Sequence, residues 1–142
     1  MIGILFSLLA GICMSLQGVF NTKLSEKLGL LQTNAIVQGI GFIFSILILI
    51  VFSKTNLKNL KETNKLYFLG GILGVIIVFT VIKGISSLGT TYAISIILIS
   101  QLLSAAVIDA FGFFDTQKLP FGITKILGLI VMVLGMILFK WK

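Results

Sequence analysis

The chain has 142 residues, of which 58% are hydrophobic and only 11% are charged, and its formal net charge is +7. A typical soluble domain is about 45–50% apolar and about 25% charged, so this composition excludes an ordinary water-soluble globule. Nucleic acid is not the expected partner of the basic charge, because the lysines lie at the ends of apolar runs, where they anchor to anionic lipid headgroups.

Five apolar runs follow one another along the chain, each nearly free of charged residues. Since a helix rises about 1.5 Å per residue, about 20 residues cross the hydrocarbon core of a bilayer. The runs are expected to be helices, because lipid cannot hydrogen-bond an unpaired backbone amide and the alternating pattern of a membrane barrel is absent. The sequence thus predicts an all-α integral membrane protein with a single domain over residues 1–142. The approximate predicted spans are residues 2–21, 30–52, 66–84, 91–112 and 120–140.

The first span has neither a cationic leading segment nor a small-residue cleavage site, so we expect it to be retained rather than cleaved as a signal peptide. Small residues recur along it with mostly four-residue spacing, which lets lipid-embedded helices approach closely, and Gly11 and Gly18 are predicted packing positions. Gln17 and Asn21 lie four residues apart on one helix face. They are candidates for lining a solute site, and hydrogen bonding to neighbouring helices is an equally weighted alternative.

Spans two and three carry fewer candidates. Gln38, near the start of span two, is expected to hydrogen-bond a neighbouring helix. Residues 53–65 place lysines at helical spacing, so this link is either a short amphipathic helix on anionic lipid or a solvated basic loop. In span three, Gly70 and Gly74 form a small-residue pair that predicts helix packing within the chain.

Span four contains Asp109, the only acid inside any predicted span. At about 100° per residue, four residues of this span fall within about 80° of one another and form a face that can line a polar cavity. They are Gln101, Ala105, Asp109 and Gly112. Asp109 can carry a proton or a substrate cation. The alternative is structural: its charge costs less near the end of the span, where it pairs with Lys118 or with neighbouring backbone.

Span five begins near Pro120, which suits the first turn of a helix because its missing N–H costs nothing there. Gly128 and Gly135 lie seven residues apart and therefore on one face. The last helix has fewer neighbours within the chain, so this face is a candidate for dimer packing. Packing inside one subunit is the even alternative.

No catalytic or metal centre is predicted. The chain has no histidine and a single cysteine, inside span one, so it offers no nucleophile–base pair and no metal-ligand framework. The glycines of span three do not form a phosphate loop, because they lie in an apolar span rather than between a strand and a helix. We therefore expect neither enzymatic activity nor a cofactor.

The lysines divide almost evenly between the two sides of a five-span chain, with no arginine to tip the balance. One side carries six, at Lys54, Lys58, Lys61, Lys65, Lys118 and Lys125, and the other carries five, at Lys23, Lys27, Lys83, Lys140 and Lys142. Orientation in a bilayer is set by the excess of Lys and Arg on the cytoplasmic side. An excess of one predicts that the chain inserts both ways up and that oppositely oriented copies pair.

Several motifs resemble those of the YdcZ-like family of small bacterial inner-membrane proteins, in matching order over nearly the whole chain. They are residues 17–21 (QGVFN) followed by Leu24 and Gly29, residues 70–74 (GGILG), residues 101–104 (QLLS) with 108–112 (IDAFG), and the tail from Lys125 through Gly128 to Gly135. That family belongs to the drug/metabolite transporter superfamily, whose larger members resemble two five-helix halves fused in inverted orientation.

The resemblance implies that this chain is one half of a ten-helix transporter, with polar family positions facing the solute. The substrate-lining candidates are Gln17, Asn21, Gln101, Ser104 and Asp109. Two departures limit the analogy. Ala110 stands where many members have histidine, so no proton role of that histidine carries over. The related small multidrug resistance proteins use a glutamate in their first helix, whereas the first span here contains no acid.

The resulting hypothesis is a dual-topology transporter subunit of the bacterial cytoplasmic (inner) membrane, working as an antiparallel homodimer. It would move a small organic metabolite or drug-like solute by alternating access. Its expected partners are its inverted copy, membrane lipid and the solute. Two alternatives stay open: a non-transporting assembly or regulatory subunit, and a half-transporter that needs a different partner. Without an acid in the first span, a neutral or zwitterionic metabolite is favoured over a strongly cationic drug.

Overall fold

The computed structural model describes residues 2–52, 65–120 and 122–141. These ranges contain five α-helices, which we number in chain order: α1 (Ile2–Leu28), α2 (Leu30–Phe52), α3 (Leu69–Leu88), α4 (Thr90–Phe111) and α5 (Ile123–Lys140). Short 3-10 turns lie at Lys65–Phe68 and Phe113–Asp115. The predicted amphipathic helix or basic loop falls on residues 53–64, which lie outside the described residues.

Each of the five helices is long and apolar enough to cross a membrane, with α3 extended by its preceding 3-10 turn. This confirms the predicted set of five spanning helices. Most large apolar side chains are exposed in the chain by itself, such as Phe52 at 78%, whereas Ile82 is only 2% exposed. Surfaces of this kind are stable in lipid rather than water, because lipid tails are as apolar as the side chains they meet.

The first helix is longer than the predicted span and continues through polar residues to Leu28. The Thr22 hydroxyl donates to the Gly18 carbonyl at 2.7 Å, and the Ser25 hydroxyl donates to the Thr22 carbonyl at 2.7 Å. An exposed ion pair follows, in which Lys23 Nζ lies 3.0 Å from Glu26 Oε1 one turn later. These residues therefore close α1 as a helix that reaches past the apolar run.

Single glycines separate α1 from α2 and α3 from α4. Gly29 and Gly89 have φ angles of +86° and +79°, which glycine adopts at little cost because it lacks a Cβ. The Gly29 amide donates to the Ser25 carbonyl at 3.0 Å, and its carbonyl accepts from the Thr33 amide at 3.1 Å. One residue thus ends α1 and begins α2, and the two helices pack as antiparallel neighbours.

The link between α4 and α5 folds back on the end of α4. Gly112 has φ +67°, and its amide donates to the Ile108 carbonyl at 2.8 Å, which ends the helix. The Leu119 amide then returns to the Asp109 carbonyl at 2.9 Å. The rings of Phe111 and Phe113 stack with centroids 5.3 Å apart. The loop is therefore held against the last turn of α4.

The helices group into two compact units, Met1–Ser87 and Leu88–Lys142. In the first unit, Val78, Ile82 and Ile85 form a buried stripe along α3 at helical spacing. In the second unit, α4 packs against α5, and Ala93 and Ala106 are buried on α4. The prediction of one domain over residues 1–142 concerns the membrane-embedded chain as a whole and stays a prediction.

Candidate functional site

A cavity of about 380 Å³ lies between α4 and α5, in the second unit. Its lining consists of four residues from each helix: Leu102, Ala105, Ala106 and Asp109 of α4, with Lys125, Gly128, Leu129 and Met132 of α5. The four α4 residues recur at spacings of three and four, which places them on the one face that α4 turns towards α5. Pockets of about 300–1,000 Å³ are typical of small-molecule sites, so the cavity has the size of a ligand site.

Two opposite charges lie at one end of this cavity. Asp109 is in the last turn of α4 and Lys125 is in the first turn of α5, and both side chains are partly buried. They do not form an ion pair: within the described ranges the one salt bridge is Lys23–Glu26 of α1. Asp109 also makes no ion pair with Lys118, and the hydrogen bond at its backbone carbonyl leaves the carboxylate uninvolved. The predicted structural pairing of Asp109 is therefore not formed, and both charges are available to a bound molecule.

The remaining walls are apolar or small. Leu102 and Met132 lie seven residues from Asp109 and Lys125, which is about 10 Å along each helix. No heavy atom of the described residues lies within 4 Å of a Cβ placed at Gly128, so the missing side chain leaves open space. The cavity thus has a charged mouth near the helix ends and an apolar interior. An organic molecule with a charged end and an apolar body matches this arrangement.

Only part of the predicted polar face of α4 is turned towards α5. Ala105 and Asp109 line the cavity, whereas Gln101 and Ser104 are exposed and do not line it. Leu102 takes the position facing α5, and Gln101 precedes it by about 100° around the helix. The two polar residues are therefore on a part of α4 that neither helix of this unit covers.

A second group of polar residues is buried in the first unit, and we call it the buried polar cluster. Its buried members are Asn21 and Thr22 of α1 and Thr33 and Asn34 of α2. Asn34 Nδ2 donates to the Val75 carbonyl of α3 at 2.8 Å. Thr33 Oγ1 and Asn34 Oδ1 are enclosed and have no hydrogen-bond partner among the residues that the structure describes. Buried polar atoms are rarely left unpaired, and an unpaired one lowers the stability of the fold, so these two oxygens are an unusual feature of the unit.

Sequence reasoning missed Thr33 and Asn34, and it treated Gln17 and Asn21 as one pair. The structure buries Asn21 in the cluster and leaves Gln17 exposed. The available signal for the missed pair was two adjacent polar residues just inside an apolar helix, four and five positions after the Gly29 break.

The glycines differ in what surrounds them. A Cβ at Gly18 would lie 2.8 Å from Ile85 Cδ1, so α1 and α3 approach closely there, and one at Gly74 would lie 3.5 Å from Gln38 Nε2 of α2. No heavy atom of the described chain lies within 4 Å of such a Cβ at the other predicted packing positions, which are Gly11, Gly70, Gly128 and Gly135. For Gly11 and Gly70, the predicted packing inside one chain is therefore not seen, because the buried part of this unit lies at the other end of α1 and α3.

A lysine contacts an aromatic ring at the opposite end of this unit, where α4 begins and α5 ends. Lys140 Nζ lies 4.5 Å from the centroid of the Tyr92 ring, a cation–π distance. Ile137 and Trp141 complete the lining of a cavity of about 440 Å³ around this pair. Tyrosine, tryptophan and lysine at a helix end are typical of the membrane–water interface, so this contact anchors the end of the unit.

Over the ranges that the structure describes, no group of three or more His, Cys, Asp or Glu residues could hold a metal ion. The arrangement instead offers a small-molecule cavity with two unpaired charges, and a buried polar cluster.

The chain matches no curated protein and no solved structure. One family, described as "Putative inner membrane exporter, YdcZ", matches residues 2–138, which run from the start of α1 into α5. This match confirms the resemblance read from the motifs. Together with the five apolar helices, it identifies a multi-pass protein of the cytoplasmic membrane. The chain thus belongs to the YdcZ family of inner-membrane proteins.

Proposed function

We propose that this chain is one half of an exporter for small organic solutes, which works as a pair of oppositely oriented copies and moves its solute by alternating access. The observation that carries the proposal is the α4–α5 cavity, in which Asp109 and Lys125 face the same space without pairing. Family membership supports a transporter rather than an enzyme.

The unpaired carboxylate of Asp109 argues for a functional cavity. Ionisable residues within membrane spans are costly, by about 2.5–3.5 kcal/mol for an acid at the helix centre, and they usually mark substrate or ion pathways. Asp109 lies two residues from the end of α4, about 3 Å along the axis, where this cost is smaller but water-filled access is easier. A residue placed there without a protein partner is well suited to receive a solute entering from the membrane surface.

The proposed pairing has two lines of support. The lysine balance of six to five leaves little bias towards either orientation. In addition, Gln17, Gln101 and Ser104 are exposed polar residues within spanning helices of the single chain. Lipid cannot hydrogen-bond their side chains, so a second protein surface would lower the cost of placing them in the membrane. We propose that they line the solute path once two copies have combined.

Inversion of the second copy provides the means of transport. Transporters built from two inverted halves hold the solute between the halves and expose it to each side in turn by rocking one half against the other. An inverted homodimer contains every polar residue twice, so two α4–α5 cavities would open towards opposite sides of the membrane.

The proposal is tested by measuring flux from proteoliposomes that contain only the purified chain, against a panel of neutral, zwitterionic, cationic and anionic metabolites. We expect export of at least one class, lowered by about tenfold or more in Asp109→Asn. Lys118→Gln is the matched control, because it removes a nearby loop charge that does not line the cavity. Absence of flux for every solute would favour a non-transporting subunit. Flux only after addition of a second five-span protein would favour a heteromeric transporter.

A further inference from the structure

We propose that the exported solute is a zwitterion with an apolar side chain, bound with its cationic nitrogen at Asp109 and its anionic group at Lys125. This inference rests on the proposed function and names the substrate class of the same cavity. An exporter of simple cations would gain nothing from the Lys125 ammonium, and an exporter of simple anions would be opposed by the Asp109 carboxylate.

The placement of the two charges on their helices supports a role in binding rather than in helix stability. Acids stabilise the first turn of a helix and bases stabilise the last, because of the helix dipole. Asp109 and Lys125 occupy the opposite ends: the acid is in the last turn of α4 and the base in the first turn of α5. Each charge therefore weakens its own helix slightly while strengthening the field in the cavity, negative on the α4 side and positive on the α5 side.

The absence of an ion pair is the second argument. Two opposite charges that line one cavity attract each other, yet Asp109 and Lys125 form no salt bridge, and neither has another charged partner in the described part of the chain. A solute that carries both charges can satisfy both groups at once. A solute with one charge leaves the other group unpaired in a partly buried site, which is unfavourable.

The shape of the cavity specifies the rest of the molecule. Behind the charged mouth, Leu102, Leu129 and Met132 provide apolar walls over about 10 Å of helix. A further apolar pocket of about 290 Å³, lined by side chains such as Ile99 and Val133, lies between the same helices and shares Leu129 with the first. The space therefore accepts an extended aliphatic or aromatic side chain, as in the larger apolar α-amino acids.

Binding to the purified full-length chain separates this proposal from the transport proposal. The probes are phenylalanine, 3-phenylpropanoate and phenethylamine, which share a phenyl-ethyl body and carry both charges, only the negative charge, or only the positive charge. Radiolabelled phenylalanine is bound to the protein in nanodiscs, and the other two compete for it. We expect each singly charged analogue to bind about tenfold or more weakly than phenylalanine, since each leaves one group of the site unpaired.

Single substitutions show which side chain binds which charged group of the solute. Asp109→Asn is expected to weaken phenylalanine binding by about tenfold, so that phenylalanine no longer binds more tightly than 3-phenylpropanoate. Lys125→Gln is expected to remove the difference in affinity between phenylalanine and phenethylamine. Lys118→Gln is expected to leave all three affinities unchanged. The exchange Asp109→Lys with Lys125→Asp keeps the net charge, places both charges favourably on their helix dipoles, and is expected to bind phenylalanine in reversed orientation. This exchanged variant keeps the test informative where a single variant fails to fold.

Two results would overturn the proposal of a zwitterionic solute. One is a singly charged analogue that binds the unaltered protein as tightly as phenylalanine, and the other is absence of binding by phenylalanine, leucine and alanine alike. Export of a different solute alongside either result would leave the transport proposal standing. Tight phenylalanine binding without flux of any solute would instead contradict the transport proposal and support the proposed binding site.

Discussion

Gly18 is the glycine at which α1 comes closest to α3, and a larger residue there tests the packing of the first unit. A Cβ at this position would lie 2.8 Å from Ile85 Cδ1 and 3.3 Å from Val81 Cγ1. Because carbon atoms in contact rest about 3.5–4.0 Å apart, Gly18→Val would have to displace both side chains. Ile85 is buried, so its displacement disturbs the core of the unit.

The size of the effect follows from these contacts. Moving one side chain about 30° off its rotamer costs about 0.5–1.5 kcal/mol, and two neighbours are affected here. Replacing glycine by valine inside a helix recovers a few tenths of a kcal/mol in helix propensity, because glycine is the less favourable of the two by about that amount. We therefore expect Gly18→Val to lower the free energy of unfolding by about 1–3 kcal/mol, the range that overpacked cores show.

The measurement is an SDS titration of the purified protein in mixed micelles, followed by far-ultraviolet circular dichroism. Gly11→Val is the matched control, because it lies on the same helix and a Cβ there meets no heavy atom of the described chain within 4 Å. We expect this control to change the free energy of unfolding by less than about 0.5 kcal/mol. Equal midpoints for the two variants would contradict the close approach of α1 and α3.

Three further experiments test the buried cluster, the solute path and the orientation. Thr33→Val removes a buried hydroxyl that has no partner in the described part of the chain, so it should raise the free energy of unfolding by about 1 kcal/mol in the same titration. A lower free energy of unfolding would indicate that a bound water or ligand pairs with the hydroxyl. Gln101→Ala should lower proteoliposome flux by about tenfold while the dimer fraction in light scattering stays constant; unchanged flux would place Gln101 outside the solute path. Replacing Lys23 and Lys83 by glutamine leaves three lysines against six and should fix one orientation, so that this variant alone loses flux. A second variant, biased the other way, replaces Lys54, Lys58 and Lys61 by glutamine. Co-expression of the two variants should restore flux, and full flux from the first variant by itself would contradict the inverted pair.

The five helices could be predicted from the sequence because the physics of a membrane span is local. A run of about 20 apolar residues in lipid must satisfy its own backbone hydrogen bonds, whatever its neighbours are. The helix ends were harder to predict. α1 runs through Leu28, whereas the apolar run that predicted the span ends near residue 21; the polar side chains beyond it are satisfied within the helix by hydroxyl–carbonyl bonds and an ion pair.

The candidate site was only partly predictable, because it depends on the rotation of α4 about its axis. Asp109 was found as the only acid in a span, but its partner in the cavity, Lys125, was assigned to an anchoring role at the membrane surface. Thr33 and Asn34 were missed because burial depends on contacts between residues far apart in sequence, such as that of Asn34 with the Val75 carbonyl of α3, 41 positions away. Single-sequence patterns reveal what a residue can do, whereas contacts across such separations decide whether it is placed to do it.

The most direct test of the inverted pair is the orientation of the C-terminal end in the native membrane. Trp141→Cys in a Cys13→Ala background places a single thiol just after α5. The thiol is labelled with a membrane-impermeant maleimide, first in spheroplasts and then in inside-out vesicles. With lysines balanced at six to five, we predict comparable labelling from the two sides, about half of the chains each. Labelling from one side only would contradict the account of one chain supplying both halves of the exporter.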